Sequence, residues 1–275
     1  MKWKCKDTVF NFGDRTYIMG ILNVTPDSFS DGGMYNEPKK AVEHAIQMVN
    51  DGADIIDIGG QSTKPNHIEI TAEQEWDRLK DIIPLLKENI SVPISVDTYY
   101  PYVAQKAIDS GASIINDVSG VFNEKMAEII KRTGAGWILM HTGGGNADII
   151  AETDDIITDV QNFFLKMIKQ AENFGLDKRQ LCFDMGIGFG KTNEQNLLLL
   201  NNVKALKIDT MPILTGASRK RVIGNATGIE SPKNRTVGNI SAHTIAICGG
   251  TDIIRVHDVY EEKKAALMTD AITRR

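Results

Sequence analysis

Cysteine is scarce in this chain. Cys5, Cys182 and Cys248 are odd in number and far apart, so no disulfide framework follows from them, and no Cys or His pair stands at zinc-ligand spacing. Cys182 and Cys248 are read as core filling rather than chemistry. No stretch approaches the roughly 18 uninterrupted apolar residues that a membrane span needs, and the opening MKWKCKDTVF lacks a signal-peptide core. These absences point to a reduced, cytoplasmic protein with no membrane partner. Basic excess is missing as well: a net charge of -5 gives no footprint for nucleic acid, so an anionic ligand has to be held by a few local groups. There is no Gly-x-Ser-x-Gly elbow, no low-complexity tract and no repeat at solenoid periods, which excludes a hydrolase of that type and a stacked-repeat architecture.

What is present is a regular alternation of short apolar strands and amphipathic helices. After an N-terminal piece expected to form a small hairpin turning at Gly13-Asp14, strands are predicted at Tyr17 to Leu22, Ile55 to Ile58, Pro93 to Asp97, Ser113 to Asp117, Trp137 to His141, Leu181 to Asp184, Pro212 to Thr215 and Asp252 to His257. A helical pattern follows each, ended in several cases by glycine, as at Gly52, Gly111 and Gly175. Eight such units with short turns and no shift in composition predict an α/β chain with one domain over residues 1–275: a closed (β/α)8 TIM barrel with a short N-terminal hairpin. An open doubly wound sheet is the competing arrangement.

A barrel of this kind builds its site from the C-terminal ends of its strands. Read off in order, those ends carry Asn23, Asp57, Asp97, Asn116, His141, Asp184, Lys220, Arg255 and His257. Taken singly, each has a plain structural role, since a strand-end aspartate often caps the next helix and a histidine often packs in a core. Convergence of all eight ends on one mouth makes them a candidate site. Asp97, Asn116 and Asp184 offer carboxylate and amide edges suited to a planar heterocycle that presents paired N–H donors. Lys220 can donate to a ring oxygen or nitrogen. Arg255 and His257, two residues apart and so expected to project to the same side, suit a phosphate together with Asn23. The run Gly186-Ile-Gly-Phe-Gly-Lys191-Thr192 looks like a phosphate loop, but Met185 stands where the P-loop needs its first glycine.

The segments GILNVTPDSFSDGG, GADIIDIGGQSTKP, ISVDT, IINDVSG, ILMH, GIGFGKT, SRK and RVHDV, in this order from Ile18 to Val259, resemble the dihydropteroate synthase family. The resemblance implies condensation of 6-hydroxymethyl-7,8-dihydropterin pyrophosphate with p-aminobenzoate, on a Mg2+-dependent barrel that is a homodimer. It implies that Asp97, Asn116, Asp184 and Lys220 hold the pterin, with Arg255 over a ring face. Asn23, Thr63, Arg255 and His257 would hold pyrophosphate, with Asn23 also touching the metal. Catalytic roles fall to Asp97, Lys220, Arg255 and His257. For p-aminobenzoate it implies the amides opening the helix after Ser218-Arg219-Lys220, with Arg221 beside them and Phe29, Thr63 and Pro65 walling the ring. The C–O bond to pyrophosphate is then expected to break largely before the amine attacks, which needs no covalent nucleophile.

Gln61, Lys64, Met185 and Arg221 depart from the residues usual in that family. Lys64 keeps the charge of an arginine but loses its planar fork. Two further readings share the pterin groups: a pterin-binding methyltransferase, which has no use for Arg255 and His257 as a pyrophosphate clamp, and a non-catalytic pterin-binding paralogue. The stretch Tyr17 to Gly33 is expected to root Asn23 at the mouth and to carry Phe29 and Asp31 on a lid that is mobile without ligand.

Overall fold

The computed structural model describes residues 1–24, 37–61, 69–143, 150 and 153–274. A two-stranded antiparallel hairpin, β1 (Lys2–Cys5) and β2 (Thr8–Asn11), precedes eight parallel strands. These are β3 (Tyr17–Asn23), β4 (Ile55–Gly59), β5 (Ile94–Asp97), β6 (Ile114–Asp117), β7 (Gly136–Met140), β8 (Leu181–Asp184), β9 (Ile213–Thr215) and β10 (Ile253–Val256). Each pairs with the next, and β10 pairs with β3, which closes the barrel and rules out the open sheet. The intervening helices are α1 (Glu37–Asn50), α2 (Ala72–Leu79), α3 (Ile82–Asn89), α4 (Pro101–Asp109), α5 (Glu124–Thr133), α6 (Ile156–Phe174), α7 (Asn193–Asn201), α8 (Val203–Leu206), α9 (Arg221–Thr227), α10 (Thr236–Cys248) and α11 (Val259–Thr273).

The hairpin turns earlier than expected. Cys5 pairs with Thr8, so the loop is Lys6-Asp7, while Gly13 lies beyond β2 in the connection to β3. A two-residue hairpin loop wants positive φ, a conformation usually supplied by glycine or asparagine. Lys6 takes it, at φ 54°, because the barrel holds it there: its amide donates to the Gly134 carbonyl at 2.7 Å, just before β7. The local sequence carries no sign of that contact.

Strand alternation sorts the barrel interior into layers. Met19, Ile55, Ile114, Ile138, Cys182, Leu214 and Ile253 form one apolar layer, and Trp3, Cys5, Phe10 and Phe12 of the hairpin segment pack beneath it in the same cluster. The hairpin therefore plugs the N-terminal end. Trp3 is fully buried, stacks near Phe10 with ring centroids 5.4 Å apart, and donates its indole N–H to the Gln180 carbonyl at 2.9 Å. Trp3→Phe removes that donor and leaves the carbonyl short of a partner. Urea unfolding is expected to report a loss of about 1–3 kcal/mol with the groups at the C-terminal mouth of the barrel undisturbed. A loss below a few tenths would show that the plug does not anchor the barrel.

Candidate active site

Two residues further along the same strands, the interior changes character. Asp57 follows Ile55, Asn116 follows Ile114, Asp184 follows Cys182 and Arg255 follows Ile253, each on the same side of its strand as the apolar residue before it. Asp97, at the end of β5, pairs in register with Asn116 on β6. A ring of polar groups thus sits on an apolar floor.

Arg255 organises the ring. Its Nε donates to Asp57 Oδ2 at 2.6 Å and its Nη2 to Asp97 Oδ2 at 2.9 Å. Asn116 Nδ2 donates to the same Asp57 oxygen at 3.1 Å. The guanidinium has five N–H donors, so these two bonds leave three for a ligand. Asn116 Oδ1 and Asp57 Oδ1 are buried and find no hydrogen-bond partner among the described residues. A buried acceptor without a donor is costly, and two side by side mark a place where a ligand brings N–H groups.

Burial raises the Asp97 carboxyl to about 7 against the pull of Arg255. It raises Asp184 as well, against Lys220, while Asp184 Oδ1 accepts the Gly186 amide at 2.7 Å. Lys220 is pushed down to about 8 by burial, with Asp184 pulling the other way. Its ammonium donates to the Ile187 carbonyl and lies 4.4 Å from the centroid of the Phe189 ring. Asp97, Asp184, Lys220 and Arg255 feel one another's charge, so they form one electrostatic unit.

His257 lies just beyond β10, and its environment differs from that of Arg255. Ser218 Oγ accepts the His257 amide at 3.2 Å and pairs with His257 Nδ1 at 3.0 Å. In the tautomer where the hydroxyl, having accepted from the amide, gives its own hydrogen to Nδ1, Nε2–H is the ring donor. Burial, with Arg219 and Arg255 nearby, lowers the imidazole to about 3, so this donor is neutral at physiological pH. Asn23 and Arg221 stand at the rim, both exposed, one ending β3 and the other opening α9. Thr63, Phe29 and Pro65 lie outside the described residues, as do Lys64 and Asp31, and so does the lid expected to carry Phe29 and Asp31.

His141 does not join the ring. Its Nε2 meets Asp159 Oδ2 on α6 at 3.2 Å and its ring packs edge-on against Phe163. Lys191 settles the status of the glycine-rich run: its ammonium donates to the carbonyls of His141, Gly186 and Phe189 at 3.1, 2.9 and 3.0 Å, which occupies it as a clamp between two loops rather than a phosphate ligand. Two contributors escaped sequence reasoning. Asp57 was visible as a strand end, but its hold on both Arg255 and Asn116 was not. Phe189 sits in a glycine-rich loop with no local sign that it lies beneath Lys220.

The model of the pterin binding enzyme family matches residues 19–257. A dihydropteroate synthase from Clostridium beijerinckii is 43% identical over 268 residues, covering 97% of this chain and 97% of that protein. The chain belongs to the pterin binding enzyme family. Among solved structures, a dihydropteroate synthase from Clostridium difficile determined in the presence of pteroic acid is 45% identical with a TM-score of 0.91, covering 97% of this chain and 100% of that one. One from Xanthomonas albilineans with 4-aminobenzoic acid is 38% identical with a TM-score of 0.92, covering 98% and 97%. The pterin binding fold and the polar ring thus belong to the same molecule.

Proposed function

We propose that this chain is a dihydropteroate synthase, which joins 6-hydroxymethyl-7,8-dihydropterin pyrophosphate to p-aminobenzoate and releases pyrophosphate. The observation that carries the reading is the polar ring on an apolar floor, with Asp97, Asn116, Asp184, Lys220 and Arg255 in one charge network within a family that binds pterins. The bond that breaks is C–O between the pterin methylene and pyrophosphate; the bond that forms is C–N to the arylamine, which gives up one proton. Pteroic acid and 4-aminobenzoic acid accompany similar structures, which supports both substrates. Purified protein with Mg2+ and both substrates is expected to release one pyrophosphate per 7,8-dihydropteroate formed. No release in a coupled pyrophosphate assay overturns the reading.

The residues do this by position and charge rather than by covalent attack. Asp97, Asp184 and the open Asn116 Oδ1 accept the pterin's N–H edge, and Lys220 donates to its ring. Carboxylates beside the ring stabilise positive charge as it develops on the methylene. The remaining Arg255 donors and the neutral His257 Nε2–H favour the departing pyrophosphate. The 218–221 turn supports binding of the p-aminobenzoate carboxylate, and Thr63, Phe29 and Pro65 are assigned to the same subsite by resemblance. Asn23 fits a Mg2+ ion: this hard cation keeps several waters and takes substrate phosphate oxygens with one or two protein oxygens, so a lone exposed amide suffices. Among the described residues no acidic cluster offers an alternative cage. When bound, Mg2+ neutralises charge on the leaving group.

The raised Asp97 carboxyl gives a pH prediction. Below about 7 it holds a proton and no longer accepts two N–H bonds, so affinity for the pterin falls as pH falls, by up to about tenfold per unit. Fluorescence titration with the pterin alcohol, which lacks the titrating pyrophosphate, between pH 5.5 and 8.5 measures this. Asp97→Asn is expected to bind weakly and to lose the Asp97 part of the dependence near pH 7, leaving that of Asp184 and Lys220; an identical profile in the two proteins rejects the role. We also infer a homodimer built on α10 and α11. Val237, Ile245, Leu267, Met268 and Ile272 are exposed there, and Val237 is 75% accessible, more apolar surface than two adjacent helices usually leave to water. A monomer mass by sedimentation at micromolar concentration overturns it. No helix among the described residues is long and apolar enough to cross a membrane; the cytoplasmic location is proposed on the three scattered cysteines, which form no disulfide framework.

A further inference from the structure

The turn Ala217-Ser-Arg-Lys220 is gripped from behind by one face of α10. Arg235 caps that helix, and Asn239 and His243 follow at intervals of four, so the three side chains share a face. That face is buried: Arg235 is 7% exposed and the other two 0%. Polar residues buried on a helix need partners, and here each of the three has a partner among the backbone groups of the same turn. His243 Nε2 accepts the Ala217 amide at 3.1 Å. Asn239 Oδ1 accepts the Arg219 amide at 2.9 Å. Arg235 Nη1 donates to the carbonyls of Arg219 and Lys220 at 2.9 and 3.1 Å, and its other donors bind the Ile229 and Glu230 carbonyls.

Two details show that this grip does more than fill space. Arg219 has φ 61°, a left-handed conformation that a side-chain-bearing residue adopts at a cost, and both its amide and its carbonyl are pinned by the stripe. His243 is also held in one tautomer. A backbone amide can only donate, so Nε2 is the acceptor and Nδ1–H donates to Glu262 Oε1 at 2.8 Å, a carboxylate 1% exposed on α11. The chain of contacts runs from α11 through α10 to the turn that carries Ser218, the partner of His257, and Lys220.

We propose that Arg235, Asn239 and His243, with Glu262 behind His243, are positioning residues that preset the 217–220 turn and thereby set affinity for the second substrate, the carboxylate-bearing arylamine. This rests on the function proposed above. The pterin's N–H edge is held independently, because Asp97, Asn116 and Asp184 stand on strands β5, β6 and β8, whereas Lys220 and the Ser218–His257 contact ride on the turn and pass part of its displacement to the first substrate.

The test uses the full-length protein in two variants. Asn239→Ala removes the acceptor for Arg219. The pair His243→Leu with Glu262→Leu removes the acceptor for Ala217 together with the carboxylate that His243→Leu alone would strand, so the fold is kept. Amide hydrogen exchange is expected to be at least about tenfold faster at Arg219 in the first and at Ala217 in the second, with KM for p-aminobenzoate raised about tenfold and KM for pterin pyrophosphate, felt through Lys220 and His257 only, raised less, by about threefold. As the control for this pair, Glu262→Gln alone, which keeps His243 and an oxygen that accepts from its Nδ1–H, is expected to retain the Ala217 protection that the pair loses. Unchanged exchange at both amides overturns the positioning role, and an equal rise in both KM values overturns its selectivity for the second substrate. If the unsubstituted protein does not turn over p-aminobenzoate, the proposed function falls, and the exchange rates alone still decide whether the stripe holds the turn.

Discussion

Arg255→Ala is expected to lower turnover by roughly 10²–10³ and to destabilise the protein by about 3–5 kcal/mol at neutral pH. The second effect follows from what the arginine leaves behind. Asp57 is fully buried and Asp97 is 8% exposed, and Arg255 is the cation that reaches both, at 2.6 and 2.9 Å. Removing one partner of a buried ion pair costs more than the pair itself contributes, because the remaining charge has lost both water and counterion. The pH dependence distinguishes this cause from loss of packing. Asp97 already sits above the ordinary carboxylate range through burial, and without Arg255 it rises further. A carboxyl whose folded pKa is raised binds more protons folded than unfolded, so stability is regained as pH falls through that pKa. The deficit of Arg255→Ala is therefore expected to shrink between pH 8 and pH 5.5, by at most about 1.4 kcal/mol per pH unit for one group. Urea unfolding at both pH values measures it, and a deficit that stays constant with pH would assign the loss to packing.

Gly186→Ala is expected to be more disruptive than its single added methyl suggests. Gly186 has φ 69°, and a Cβ there would overlap the carbonyl oxygen of His141. That carbonyl cannot simply withdraw, since Lys191 holds it together with the carbonyl of Gly186 itself. The Gly186 amide also binds Asp184 Oδ1, so any shift of the loop moves a carboxylate assigned to the pterin. A loss of about 3 kcal/mol or more is expected, from backbone strain and overpacking combined, with pterin binding lost at the same time. Gly188→Ala is the control. Its φ of 81° carries similar backbone strain, but the added Cβ meets only the flexible Lys220 side chain, at 3.0 Å, so about 1 kcal/mol is expected. Equal losses in the two variants by chemical denaturation would show that the His141 carbonyl yields more easily than the Lys191 clamp implies.

Much of the architecture was legible in the chain because the signals are local. Apolar runs of four to seven residues, each followed by a 3.6-residue pattern and often a glycine stop, mark eight strands and their helices wherever they lie in space. The closing bond between β10 and β3 was predictable only as a consequence of their number. Where local signals were weak, the reading slipped. The single helical pattern expected after the Ile55 to Ile58 strand is two helices, α2 and α3, broken at Lys80-Asp81, with Pro84 withholding an amide in the first turn of the second. The helix after the glycine-rich run, α7, begins directly at Asn193, because Thr192 and Gln195 cap each other's backbone groups and Thr192 is its cap.

The site divides in the same way. Asp97, Asn116, Asp184, Arg255 and His257 could be nominated from the chain because a strand's end and its alternation of faces are properties of a few consecutive residues. Which atoms meet could not be read there. That Arg255 reaches across to Asp57 and Asp97, nearly two hundred and nearly one hundred and sixty positions away, depends on the register of every strand between them and on the stagger that closure imposes. His141, a strand-end residue like the others, turns to α6 instead of the mouth, and three polar residues of α10 hold a turn they do not adjoin in sequence. By itself the sequence determined the order of elements and the kinds of groups delivered to the mouth, since propensity, capping and period act over a turn or two of chain. Only the tertiary structure decided which of those groups face each other and which are occupied by the scaffold, because hydrogen bonds and desolvation act through space, between residues that the chain brings together only once the barrel has closed.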